Sequence, residues 1–396
     1  MNSSPRTHGV VIVGGGTAGI TVAARLRRAA PELDVAIVEP SEVHYYQPLW
    51  TLVGGGLYRL ADSARSEARY VPEGVTWICD RVAAIDPERR TVDLEGGGTV
   101  GYEQLVVAPG IRLAWERIEG LDGAVGDHGI ASNYDARFVE KTFPMLDALD
   151  AGTAVFTFPK GPIKCAGAPQ KIMWLADHLF RRKGIRGRTN VVFASAGQRI
   201  FGVEKYRVAL ERLVETRDID TRFSHELVAV RPASREAVFR HGDREEIVRY
   251  DFIHVTPPQA PPGFIADSGL GNEAGWCDVD KYTLQHVRYP DIFSLGDASS
   301  LPTSKTGAAV RKEAPVLVDN LLAHRAGRPL AATYDGYASC PLTTRYGRVM
   351  LAEFDYEGRP AETFPFDQAK ERWSMWVLKT QVLPRLYWYG MLRGRA

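Results

Sequence analysis

Apolar positions in this chain fall in short runs separated by longer amphipathic stretches. Val10 to Val13 is an apolar run that ends in glycines, Ile20 to Ala29 has helical spacing, and Val35 to Val38 is a second run closed by Glu39-Pro40. A strand, a helix and a strand within about 30 residues open a doubly wound sheet. Val75 to Val82, Thr91 to Leu94 and Tyr102 to Val107 read as further strands, with Glu95 to Gly98 as a turn between two of them.

The pattern then starts again. Ala154 to Phe158 reads as a strand, Ile172 to Arg182 as a helix, Val191 to Ala194 as a strand and Val208 to Glu215 as a helix, followed by sheet-like alternation to Thr256. Pro257-Pro258 and Pro261-Pro262 mark a crossover back to the first unit, where Ile292 to Leu295 is a strand and Gly307 to His324 a long helix. The expected class is therefore α/β, with two Rossmann-like dinucleotide-binding domains and a C-terminal helical segment. The boundaries read as 1–112 and 277–335 for the first domain, 113–276 for the second and 336–396 for the appendage.

Composition narrows the class. The 396 residues suffice for two or three cores; 45% are apolar, 24% are charged and the net charge is +1, which gives no reason to expect nucleic acid. The four cysteines, Cys79, Cys165, Cys277 and Cys340, include no CxxC pair, so neither a disulfide framework nor a metal site is expected. Met1 to His8 lacks an apolar signal core and no run is long enough to span a bilayer, which reads as a cytoplasmic chain.

The stretch from Gly14 to Gly19 contains GxGxxG between a strand and a helix. Gly14 permits the tight turn, Gly16 lets a pyrophosphate approach the backbone, and Gly19 allows close helix–strand packing. Glu39, twenty positions after Gly19, stands where an acid would hold ribose hydroxyls. Two more segments, Val107-Ala108-Pro109-Gly110 after one strand and Gly296-Asp297 after another, resemble motifs of the two-dinucleotide-domain flavoproteins. That resemblance implies FAD, with Asp297 on a ribityl hydroxyl and the helix from Gly307 aimed at the flavin pyrimidine.

A second fingerprint is missing. The strand ending at Phe158 runs into Pro159 to Pro169, a lysine-bearing loop that contains Cys165 and would keep a pyrophosphate off the backbone. This argues against a nicotinamide donor. Cysteine is the side chain that accepts a sulfur nucleophile, and neighbouring lysines favour its thiolate. Lys164 adjoins Cys165 and Lys171 follows six positions later, while Cys340 lies 175 positions on. Each cysteine could equally be a buried packing residue. Cys79, on an apolar strand, is expected in the core, and Cys277 is expected to be structural. His44 and His254 are expected to be hydrogen-bonding histidines rather than bases.

The whole chain resembles sulfide:quinone oxidoreductases, in particular the branch with the mitochondrial enzyme. The stretches His44 to Gly54, Lys160 to Lys171, His254 to Pro258, Leu301 to Thr306 and Thr363 to Asp367 carry the likeness. It implies a redox-active bridge between Cys165 and Cys340, and it brings Lys305 into the cofactor set. Lys171, by its position, could favour sulfide or a thiolate electrostatically or equally be a solvated helix lysine. Sulfide would open the bridge and leave a persulfide on Cys340. Two electrons would pass through FAD to a membrane quinone, and the sulfane sulfur would leave to an acceptor such as a small thiol or sulfide. Some bacterial relatives carry a further cysteine after the Ala-Pro-Gly turn, where this chain has Ile111-Arg112-Leu113. The form of the product and any homo-oligomer stay open.

Residues 371–396 carry three tryptophans and two tyrosines among aliphatic residues, with five cations against Glu371. Pro384 is expected to divide two short helices. A basic aromatic amphipathic segment suits a bilayer interface, here the cytoplasmic side of a bacterial inner membrane. Tyr346, Phe364 and Phe366 are the quinone candidates. The rivals are a type II NADH:quinone dehydrogenase, a flavocytochrome c sulfide dehydrogenase subunit and a cysteine-based flavin redox sensor.

Overall fold

A computed structural model of the chain describes residues 5–396; the first four residues, part of the segment read above as lacking a signal core, lie outside it. The first elements are β1 (Thr7–Val13), α1 (Thr17–Ala29), β2 (Val35–Val38), β3 (Val75–Ile78) and β4 (Thr99–Val107). Next come β5 (Gly152–Phe158), α2 (Ala168–Arg182), β6 (Thr189–Ser195) and α3 (Glu204–Arg217). β7 (Glu226–Arg231), β8 (Glu236–His241) and β9 (Arg244–Arg249) follow. The chain continues through β10 (Ile292–Ser294), α4 (Gly307–Arg325), β11 (Ala338–Arg345) and β12 (Arg348–Phe354).

β3, β2, β1 and β4 lie side by side and parallel, and β10 also pairs with β4 in parallel. Strands covered on both faces need apolar side chains on both, and Val10, Val11, Ile12, Leu105, Val106 and Val107 are all fully buried. A second parallel sheet is centred on β5 and β6, with Phe252–His254 beside β5 and Asp220–Phe223 beside β6. β7, β8 and β9 make a small antiparallel sheet, and β11 and β12 make a hairpin. β1, β4 and β10 each lead into a glycine-bearing turn, at Gly14, Gly110 and Gly296, at the carboxyl end of the sheet, the usual ligand position in such sheets.

Two expectations need correction. Val75 to Val82 is not one strand. It breaks after Ile78 because the Asp80 carboxylate accepts from the backbone of Arg81 and Gly96 and holds a local turn. Cys79 therefore falls past the strand end and is exposed rather than buried in the core. Nor does Pro384 divide the C-terminal segment. Helical turns continue from Trp373 to Arg393, with wide π turns at Leu378–Val382 and Leu386–Gly390 flanking the proline and accommodating its missing N–H.

This helical run docks inward. Tyr387, Trp388, Met391 and Leu392 are buried, and the Tyr387 hydroxyl lies 2.8 Å from Thr17 Oγ1 and 2.5 Å from His44 Nε2. His44 Nδ1 in turn meets Glu67 Oε2 at 2.9 Å. The appendage is thus tied by a buried polar chain to the start of α1, the helix that follows the glycine turn.

Candidate active site

α2 starts directly after the Cys165 loop, with Pro169 in its first turn, where the missing N–H costs nothing. The helix packs on β11, the strand that carries Cys340. Loop and strand are thereby pressed together, and the two Sγ atoms come to 3.4 Å of each other, close enough to bond after a small side-chain rotation. Gly167 is what permits the approach, since a Cβ there would stand 2.4 Å from Cys340 Sγ and 2.4 Å from Leu342 Cδ2. Cys165 itself has φ +56°, a left-handed conformation unusual for a residue with a side chain. Its N–H donates to Lys305 O at 2.8 Å and its carbonyl accepts from Ala168 N at 2.7 Å, which fixes that backbone.

Electrostatics separate the two sulfurs. Lys171, one turn into α2, is 3% exposed and its Nζ lies 3.1 Å from Cys165 Sγ. The hydrogen bond from Cys340 and the Lys171 ammonium hold the Cys165 thiol well below its usual range, against the opposing effect of burial. Donation to Cys165, together with burial, pushes the Cys340 thiol up. Burial alone would make Lys171 easier to deprotonate, yet the neighbouring sulfurs push it up. The arrangement is a thiolate at Cys165 facing a thiol at Cys340.

At the glycine turn, Gly14 has φ +97°, and a Cβ there would lie 2.3 Å from Ala108 O, beside Pro109. A Cβ at Gly19 would fall 1.8 Å from Gly14 O, so helix and turn close only on glycine. Gly16 faces open space, with nothing within 4 Å of its Cβ position. Glu39 accepts from Gly15 N and Ser41 N, each at 2.7 Å, which sets its carboxylate against the turn. Gly110 and Gly296 both take positive φ at their turns, and Gly296 N donates to buried Glu313 at 2.8 Å. Burial pushes the Asp297 carboxyl up, against the pull of Lys305 and Lys164. Lys305 is buried, donates to Ser299 O at 2.9 Å and sits 4.0 Å over the Trp276 ring. One residue stretch, Ser304 to Thr306, therefore serves both the Cys165 loop and the helix cap, because Thr306 Oγ1 caps α4.

Among the described residues, the Tyr134 hydroxyl, Thr256 Oγ1, Gln259 Nε2 and Ser304 Oγ are buried without a partner. Gln259 lies beside the Cys165 loop, accepting from Lys164 N at 2.8 Å. A polar planar group entering here would satisfy such atoms, whose burial is otherwise costly. The glycine cradle, the Glu39 carboxylate and these atoms fit a flavin dinucleotide.

The quinone candidates separate. Phe364 and Phe366 stack at 5.3 Å and pack with Met375 and Trp376 of the C-terminal run. Tyr346 lies elsewhere, donating to Gly55 O at 2.7 Å and tilted against His178. His254 is fully buried, accepts from Asn133 N at 3.0 Å and is pushed by burial to about 3, so its ring is neutral. Cys277 is buried, and its thiol is pushed up to about 12.

Residues 8–144 match the family model of pyridine nucleotide-disulphide oxidoreductases. The chain is 47% identical over 389 residues to the mitochondrial sulfide:quinone oxidoreductase of Mus musculus, covering 97% of this chain and 86% of that one. The mitochondrial sulfide:quinone oxidoreductase of Dictyostelium discoideum is also 47% identical, with 98% and 86% covered. The crystal structure of the Aquifex aeolicus sulfide:quinone oxidoreductase shares the fold, with a TM-score of 0.82 at 20% identity, over 98% of this chain and 92% of that chain. The chain belongs to the sulfide:quinone oxidoreductase family.

One residue of the site was not singled out by its pattern. Lys379, read with the other cations of the C-terminal segment as part of a basic surface, is 5% exposed in this family member. Among the described residues its Nζ reaches only Pro48 O, at 3.5 Å, and burial followed by repulsion from Lys171 pushes it down to about 7. Its charge also acts on Cys165. The available signal was its spacing, four positions after Met375 on the face that is buried.

Proposed function

We propose that this chain oxidises sulfide and delivers the electrons to a quinone, with Cys165 and Cys340 as the reacting pair. The supporting observation is the meeting of two cysteines, 175 positions apart in sequence, beside a buried lysine. FAD is the cofactor; when bound it takes two electrons from sulfur and returns them to a quinone. Gly14, Gly16, Gly19, Glu39, Pro109, Gly110, Gly296, Asp297 and Lys305 are the residues proposed to hold it.

In the oxidised chain the two sulfurs are bridged. Hydrosulfide attacks the Cys340 sulfur, the bond to Cys165 breaks, and a persulfide stays on Cys340 while Cys165 leaves as thiolate. Lys171, 3.1 Å from Cys165 Sγ, stabilises that leaving thiolate. An acceptor thiolate then takes the outer sulfur and leaves a thiolate on Cys340. Re-forming the bridge releases two electrons. The balance is sulfide plus thiol plus quinone giving persulfide plus quinol, and sulfide can replace the thiol to give a polysulfide. Lys379, near neutrality in its titration, supplies or withholds a positive charge beside the pair.

We further propose that the C-terminal run meets a membrane surface. Its inner face is buried on the first domain, but Trp373, Val382 and Tyr389 stay exposed at 62%, 47% and 62%. Aromatic and aliphatic tips of this kind suit a bilayer interface. No helix of the described residues is long and apolar enough to cross a membrane. Phe364 and Phe366, packed against this run, are favoured over Tyr346 as quinone contacts.

Cys165→Ser and Cys340→Ser test the chemistry. Each is expected to keep its bound cofactor and to lose sulfide-driven reduction. Full activity in either variant would refute the role of the pair.

A further inference from the structure

The antiparallel sheet β7–β8–β9 carries a second cluster of chemistry-bearing side chains away from the sulfur site. His225 directly precedes β7, His241 ends β8, and Glu246 lies on β9. In the register, His241 stands opposite Arg244 and Phe239 opposite Glu246, so His241 and Glu246 are diagonal neighbours on one face of the sheet. Glu226, next to His225, pairs with Arg240, next to His241, which brings the two histidines together. The ligating atoms of His225, His241 and Glu246 all lie within 4.8 Å of one another.

The decisive detail is the tautomer of His225. The ring is 8% exposed and its Nδ1 lies 2.7 Å from Phe223 O. A carbonyl can only accept, so Nδ1 carries the proton and donates it. In the neutral ring Nε2 then presents a bare lone pair. Glu246 Oε2 stands 3.3 Å from that Nε2, and His241 Nδ1 stands 3.1 Å from it. A lone pair facing a carboxylate is a pair of acceptors with nothing between them. A metal ion between them would reconcile the two. The backbone carbonyl behind Nδ1 is the outer partner that metal-bound histidines habitually have.

We infer that His225, His241 and Glu246 form a surface binding site for a borderline divalent cation of the zinc type. Two imidazoles and one carboxylate are a zinc donor set, with water completing the coordination. Bonds of about 2.1 Å in a tetrahedron place neighbouring ligand atoms about 3.4 Å apart, near the 3.3 Å and 3.1 Å that separate His225 Nε2 from Glu246 and His241. His241 Nδ1 is 3.1 Å from both ring nitrogens of His225 and so lies over the ring rather than on the Nε2 lone pair. Ligation therefore requires the exposed His241 side chain to rotate at its strand end. The sequence pattern gave no such site, because the three residues are brought together across strands rather than by a short spacing. A bound ion would tie all three strands at one end and stabilise the sheet by linkage.

The test is calorimetric titration of untagged, chelator-stripped holoenzyme with zinc chloride, for the wild type, His241→Ala and Glu246→Gln. Both substitutions are at exposed positions, which spares the fold, and neither residue belongs to the sulfur site. The wild type is expected to bind zinc and to melt at higher temperature with it. Each variant is expected to bind at least about tenfold more weakly and to lose the thermal shift, while metal-free sulfide:quinone turnover stays as in the wild type. No zinc binding by the wild type would overturn the inference. Undiminished binding in both variants would overturn it as well, since the zinc would then sit elsewhere on the protein.

Discussion

Gly167→Ala isolates the close approach of the two sulfurs. Gly167 has φ −88° and ψ −9°, which alanine adopts freely, so any effect of the substitution is steric rather than conformational. The added Cβ would stand 2.4 Å from Cys340 Sγ and 2.4 Å from Leu342 Cδ2. Non-bonded carbon contacts relax at about 3.5–4.0 Å, so neighbours on the strand must yield by about 1 Å. Cys340 is held in β11, paired with Ala352 of β12, and Leu342 is fully buried, so neither can retreat into free space. Overpacking of this kind costs about 1–3 kcal/mol of stability. A displacement of about 1 Å between reacting groups costs about a hundredfold in rate. Stopped-flow reduction of the bound cofactor by sulfide under anaerobic conditions, with a melting curve alongside, reads both effects. Gly187→Ala is the control, because nothing lies within 4 Å of its Cβ position. The Gly167 variant is expected to hold its cofactor, melt earlier and react about a hundredfold more slowly. A rate within about twofold of the wild type would refute the reasoning that this glycine sets the sulfur–sulfur distance.

Three further substitutions probe the surroundings. Lys171→Met removes an ammonium 3.1 Å from Cys165 Sγ, an attraction of about 5 kcal/mol at an effective dielectric constant of 20; in the reduced protein the pH midpoint for alkylation of Cys165 by iodoacetamide should move upward. Lys379, pushed down to about 7, would titrate near 10.4 when unfolded. Between those values only the unfolded chain takes up the proton, so the wild type loses stability as pH falls from about 10.4 to about 7 and no more below that. The melting advantage of Lys379→Met should therefore grow across this window and level off below it. Tyr387→Phe strips the hydroxyl from Thr17 and His44; a cost of about 1–3 kcal/mol is expected, seen as faster hydrogen exchange across residues 373–393.

The parts of the fold that could be read from sequence are those whose information is local. Val10 to Val13 and Val35 to Val38 are continuous apolar runs because both faces of a parallel strand are covered, and Gly14 and Gly19 mark a turn whose atoms leave no room for a Cβ. Val75 to Val82 misled because the break is made by a side chain, Asp80, bonding the backbone of a distant turn. Pro384 misled because π turns absorb what an α-helix could not. Cys165 and Cys340 were legible as residue types, while their contact is made by α2 lying on β11, which no spacing encodes. Lys379 went unrecognised because a lysine within a basic segment reads as solvated; only its position on the inward face distinguishes it.

The most direct measurement is the absorbance of the bound flavin on anaerobic mixing with sulfide and, separately, with NADH, followed by a short-chain quinone. Bleaching by sulfide, with colour restored by the quinone and no response to NADH, is the expected result. Bleaching by NADH with none by sulfide would contradict it, and would make the second domain a nicotinamide site and the meeting of Cys165 and Cys340 incidental.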